Sequence, residues 1–63
     1  MGISIRLREE RERLGLNQEE FGAIAGVRKQ AQHLYEKGDR HPNTLYLAAI
    51  AAAGVDVLYV LTG

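Results

Sequence analysis

NQEEFGAIAGVRKQAQHLYE, residues 17–36, holds the start of one helix, its end and the start of another. Asn17 is a favourable N-cap, Glu20 three residues later completes a capping-box pattern, and Leu16 is available as a hydrophobic staple to Phe21. The first helix of the pair therefore begins at Gln18, carries Phe21, Ile24 and Ala25 as its inner stripe, and ends at Gly26. Glycine costs roughly 1 kcal/mol against alanine inside a helix, so Gly22 points to a close approach by another segment. The second helix starts after Val27 and ends before Gly38. At roughly 100° per residue, Val27, Ala31, Leu34 and Tyr35 share one arc, Lys29 and His33 lie opposite, and Gln30 and Gln32 flank them.

Two short helices around a glycine-centred turn, the second polar and basic on its outer side, form a helix-turn-helix, an arrangement that lays one helix in the major groove of DNA. The side chains on that outer arc suit the task. Glutamine bonds bidentately to adenine, lysine donates to guanine O6 and N7, and arginine or lysine neutralises phosphates. A polar outer face is equally what an ordinary amphipathic surface helix shows.

The rest of the chain also reads as helix, giving five helical segments and no strand. Ser4 precedes IRLREERERL, where Ile5 or Leu7 recurs with Arg11 and Leu14 at helical spacing and Gly15 is the stop. Glu9 with Arg13 and Arg8 with Glu12 are spaced for surface pairs along a solvated face. After the turn GDRHPN, in which Pro42 stops one helix and Asn43 caps the next, a fourth helix spans about Thr44 to Ala53. Tyr46, Leu47, Ile50 and Ala53 or Ala51 face inward there, and the alanine-rich run AAIAAAG suits close helix contacts. Asp56 caps a last short helix, VLYVL, ending at Thr62 and Gly63. Five successive apolar residues exceed what one buried face needs, so part of Val57, Leu58, Tyr59 and Val60 is expected on the surface as an association patch.

Composition restricts the alternatives. A chain of 63 residues is read as one domain, 1–63, whose core supplies only about 3–5 kcal/mol. It has no cysteine, hence no disulfide and no cysteine-based zinc site. With no apolar signal core after Met1 and no run near the roughly 20 apolar residues of a membrane span, a cytoplasmic location is expected. Eight Lys and Arg balance eight Asp and Glu. The balance is uneven along the chain: Arg28, Lys29, Lys37 and Arg40 face only Glu36 and Asp39 between residues 28 and 41, and His33 and His41 add charge as pH falls. A locally positive face, with modest non-specific affinity, is therefore compatible with the neutral total.

The order LREERERLGLNQEEFGAIAGV, a third helix ending in YEKG, the turn DRHP and the tail AAAGVDVLYVLTG resembles the DNA-binding domain of the phage repressor and Cro family, also called the Xre-like helix-turn-helix family. The resemblance spans essentially the whole chain. It implies an all-α, compact five-helix, lambda-repressor-like domain, with the helix-turn-helix formed by helices 2 and 3. It also implies homodimers on pseudo-palindromic double-stranded operators, with half-sites about 34–36 Å apart, and a transcriptional regulator rather than an enzyme.

Carried onto matching positions, the resemblance gives Gln18 the role of holding a phosphate and bracing a reader on the third helix. Arg28, Lys29, Gln30 and His33 fall at reader positions, and Leu34 at a further groove-facing one. Asn17, Lys37 and Arg40 would clamp the DNA backbone, assisted by amides at the start of the second helix. Arg11 and Glu36 match the family's structural ion pair. Within the apolar patch of the last helix, Val57, Leu58 and Tyr59 are the residues expected to meet the second subunit. This chain departs from the family at Arg28, which replaces a capping Ser or Thr. It departs again at Gln32, usually apolar and inward, and at Leu34, often polar. Helical phase turns Leu34 inward and Gln32 outward; the family register reverses them.

His33 and Glu36 have a spacing that allows a shared metal, but no second ligand pair accompanies them, and no phosphate loop, nucleophile elbow or acid pair is present. No catalytic residue, cofactor, metal or small-molecule site is expected. The reading from another class is a helical protein-interaction module of the same fold that binds a partner through VLYVL without reading DNA.

Overall fold

The computed structural model describes residues 2–63, whose helices are α1 (Ile3–Arg13), α2 (Gln18–Ile24), α3 (Lys29–Lys37), α4 (Thr44–Ala52) and α5 (Val57–Thr62). This is the expected all-α, five-helix class, with no strand among the described residues. Each helix contributes one or two large side chains to the core: Leu7, Phe21, Tyr35, Tyr46, Ile50 and Val60, joined by Val55 from the turn before α5. The rings of Tyr35 and Tyr46 meet edge to face with centroids 4.7 Å apart, which adds about 0.5–1.5 kcal/mol to their burial.

Local chemistry sets the helix boundaries. Asn17 Oδ1 accepts from the Glu20 amide at 2.7 Å while Glu20 Oε1 accepts from the Asn17 amide at 2.9 Å, a complete capping box. Asn43 and Asp56 cap α4 and α5 in the same manner, accepting from the amides of Tyr46 and Tyr59 at 2.9 and 3.0 Å. After α3, Gly38 takes a left-handed φ of 90°, and the amides of Gly38 and Asp39 both donate to the Leu34 carbonyl. Gly22 is buried, and a Cβ there would stand 3.0 Å from the Val27 carbonyl oxygen. The carbonyl of Gly22 accepts from the Val27 amide at 2.8 Å, so the turn folds back onto α2 where only glycine leaves room.

Several expectations are corrected. Helix α1 starts at Ile3 rather than after Ser4, with Gly2 at the N-cap and no side-chain cap. Its buried apolar residue is Leu7, whereas Ile5 is exposed. Arg13 pairs with Glu10 at 2.9 Å and not with Glu9, because the Glu10 carboxylate is held inward by the Asp56 amide at 2.8 Å. Glu9 instead accepts from the Tyr59 hydroxyl, while the exposed Arg8–Glu12 pair forms at 3.1 Å. The charge run of α1 is therefore a seam to α5 as well as a solvated face. In α2, Ile24 is exposed because the helix ends before its stripe regains the core. In α4, Ala51 and Ala53 are exposed with Ala48 and Ala52, and Leu45 is 81% exposed. Tyr46 and Ile50 are buried and Leu47 packs against the core as expected, while most of the alanines border solvent rather than a tight helix contact.

In α3 the structure decides between the two opposed orientations of Gln32 and Leu34 in favour of the family register. Gln32 is fully buried and Leu34 half-buried, so the inward stripe is Ala31, Gln32, Tyr35 and Glu36. Plotting hydrophobicity missed this phase because two of those four residues are polar and are satisfied inside the protein.

Candidate nucleic-acid interface

Where α1, α2 and α3 meet, the Glu36 carboxylate receives four hydrogen bonds. Arg11 donates from Nε to Oε2 at 2.7 Å and from its second terminal nitrogen to Oε1 at 3.0 Å. Gln32 Nε2 donates to Oε2 at 2.6 Å and Gln18 Nε2 to Oε1 at 3.3 Å. The remaining terminal nitrogen of Arg11 donates to the Leu16 carbonyl at 2.8 Å, fixing the α1–α2 turn. Glu36 is 3% exposed and Arg11 11%. Burial pushes the Glu36 carboxyl up, but the hydrogen bonds from Arg11, Gln32 and Gln18 outweigh it and hold the group below its ordinary range. The ion pair is thus a joint between helices, and no buried side-chain nitrogen or oxygen lacks a partner among the described residues.

That joint sets the outer surface of α3. Lys29, Gln30, His33 and Leu34 line one open depression together with Gln18 from α2. A second depression, on the α1 side, is lined by Arg8, Arg11, Gln18, His33, Glu36 and Lys37. Asn17, Glu19 and Lys29 border a third at the start of α2, again with Arg11 and Gln18. Gln18 is common to all three, at the centre of a face that combines amides, an imidazole and cations. The half-buried Leu34 supplies its apolar part.

Two residues of the expected set lie apart. Arg40 lines a separate depression with Arg6, His41 and Pro42, beyond the C-terminal end of α3. Arg28 is exposed at the N-cap of α3 and makes no side-chain cap bond. The capping box occupies the Asn17 side-chain oxygen and the amides of Asn17 and Glu20, and Lys37 sits 3.2 Å from Asp39. Arg8 is the basic residue of this face that sequence reasoning left out. Its spacing to Glu12 marked it only as half of a helical pair, and its approach to His33 and Lys37 exists only once α1 packs on α3.

A helix-turn-helix family profile matches residues 7–53, which include α1 to α3 and end just after α4. The chain belongs to the helix-turn-helix family. Among solved structures, this helix-turn-helix chain is similar to the P22 c2 repressor, described as in complex with synthetic operator 9T in the presence of Tl+. The two share 28% identity and superpose with a TM-score of 0.89, over 100% of this chain and 97% of the repressor chain. The comparison with curated proteins gives no match. Among the described residues of the helix-turn-helix chain, no group of three or more His, Cys, Asp or Glu could hold a metal, and no helix is long and apolar enough to cross a membrane.

Proposed function

We propose that this chain is a sequence-specific, double-stranded-DNA-binding transcriptional regulator of the repressor type that places α3 in the major groove. The observation that carries the reading is full-length similarity, at a TM-score of 0.89, to a repressor described in complex with synthetic operator 9T, and an α3 face that carries Lys29, Gln30 and His33 supports it. Lys29, Gln30 and His33 would read base edges, with Leu34 against a thymine methyl. Arg8, Lys37 and Arg40 would neutralise phosphates, with Arg28 and Asn17 near the backbone.

The reading includes a homodimer on DNA. Leu58 is 71% exposed on α5 and Leu61 is exposed beside it, whereas Val57 and Tyr59 are half-buried against the rest of the fold. Leu58 would therefore lead the contact, with Val57 and Tyr59 at its edge. A cytoplasmic, non-catalytic role without cofactor goes with this function.

Titrating a duplex at several salt concentrations tests the reading. Phosphate neutralisation releases counterions, so log K should fall linearly with log salt, by about 0.9 per phosphate contacted. A flat response would sink the proposal and leave the exposed Leu58 surface to a protein-interaction role.

A further inference from the structure

Inside the domain, a line of hydrogen bonds runs from α4 to the outer face. The Tyr46 hydroxyl donates to Gln32 Oε1, Gln32 Nε2 donates to Glu36 Oε2 at 2.6 Å, and Glu36 Oε1 accepts from Gln18 Nε2 at 3.3 Å. Tyr46 and Gln32 are 2% and 0% exposed, so neither can touch DNA. Gln18, at the other end, lines the face that carries Lys29, Gln30 and His33.

The polarity of this line is forced. An ionised carboxylate only accepts hydrogen bonds, and the Arg11 guanidinium keeps Glu36 ionised. Each glutamine must therefore point its NH2 end at Glu36 and its carbonyl away. For Gln32 the carbonyl then meets Tyr46, whose hydroxyl stays protonated because burial raises its pKa well above the ordinary phenol range. For Gln18 the carbonyl is left on the solvent side. Turning that amide over would set an oxygen against the carboxylate.

We propose that Gln32 and Tyr46 are positioning residues for DNA recognition, acting through Glu36 to hold the Gln18 amide with its carbonyl toward the groove. The inference rests on the DNA-binding reading above and deepens it. Lys29 borders the same depressions as Gln18; on DNA the outward carbonyl would accept from its ammonium and so aim that lysine at the base edge. Sequence discrimination then depends on a tyrosine and a glutamine on the core side of the fold, while general attraction to phosphates does not.

The test compares the parent with Gln32→Leu and with Gln32→Leu combined with Tyr46→Phe, using a duplex first selected from a random pool by the parent. Stability from urea unfolding should drop in Gln32→Leu, which strands the buried Tyr46 hydroxyl and takes one donor from Glu36, and recover in part in the double variant, where the hydroxyl is gone but the lost donor to Glu36 is not replaced. Discrimination between selected and scrambled duplexes should fall about tenfold in both variants, without recovery, while affinity for the scrambled duplex and its salt slope stay unchanged. In the free protein, the Gln18 side-chain NH2 resonances should be sharp and distinct in the parent and averaged in both variants. Discrimination that recovers with stability, or Gln18 resonances that do not change, would overturn the positioning role. A parent that selects no sequence would refute the DNA reading itself, and with it the recognition role; parent selection together with undiminished selection by the double variant would refute the relay alone.

Discussion

Replacing Arg11 with methionine should bring this domain close to the midpoint of unfolding, because Glu36 would stay buried with half of its hydrogen bonds gone. Glu36 keeps the Gln32 and Gln18 amides but loses both guanidinium bonds, at 2.7 and 3.0 Å, and Leu16 loses the donor to its carbonyl. Removing one partner of a buried ion pair costs about 3–5 kcal/mol. The two remaining amides and the slight exposure of Arg11 place the expected loss near the lower end, about 3 kcal/mol. Against a core worth about 3–5 kcal/mol, that leaves little. Urea unfolding followed by circular dichroism at 222 nm reads the loss directly.

Acid provides the second arm of that experiment. In the parent the folded-state pKa of Glu36 lies below its ordinary value of 4.5, so the stabilisation is complete above that value and is lost as pH falls through the folded pKa. Without Arg11 the strongest of the influences that lower the Glu36 pKa is gone while burial still raises it, so the folded-state pKa moves up and acid costs the variant less stability than the parent. The gap between parent and Arg11→Met should therefore be constant near neutral pH and narrow as pH falls from about 5 to about 3. A gap under about 1 kcal/mol, or one constant across that range, would refute the assignment of Glu36 as a buried, charge-compensated joint.

Three further outcomes follow from named contacts. Gly22→Ala should lower stability by about 1–2 kcal/mol despite alanine's better helix propensity, since its methyl would press on the Val27 carbonyl; a melting temperature lower by roughly 5–10 °C is expected, and an unchanged one contradicts the close approach. If Lys29 and Gln30 read bases, Lys29→Ala and Gln30→Ala should each flatten preference at particular positions by about 1–3 kcal/mol, while Arg40→Ala weakens all duplexes alike; competition binding with single-base variants separates the two patterns. Leu58→Asp should lower self-association in sedimentation without changing the melting temperature, because Leu58 is exposed and makes no core contact, and equal association would move the dimer surface elsewhere. Tyr59 is the poorer choice for that test, since its hydroxyl is tied to Glu9.

What could be read from the sequence was whatever depends on neighbours in the chain. Asn17 and Glu20, Asn43 and Asp56 cap their helices through bonds that span three residues, and their spacing announces them. Lys29 and His33 share a face because helix geometry alone puts residues four apart together. Gln32 and Glu10 could not be read in the same way. Their burial depends on partners 14 and 46 residues distant, Tyr46 and Asp56, and hydrophobic periodicity treats an amide or carboxylate as an outward residue. The alanines of α4 misled in the opposite direction, since a small apolar residue is as compatible with solvent as with a tight contact. Family register placed Gln32 inward where helical phase did not, because register encodes tertiary position and phase encodes only local composition.

Selection of bound duplexes from a random pool tests the central claim most directly. A groove-reading dimer should enrich an inverted repeat with half-sites one helical turn apart, about 10 base pairs centre to centre, and Lys29→Ala should shift the enriched base at one position in each half. A pool that emerges without enrichment, or with the same preference in parent and Lys29→Ala, would contradict recognition by α3.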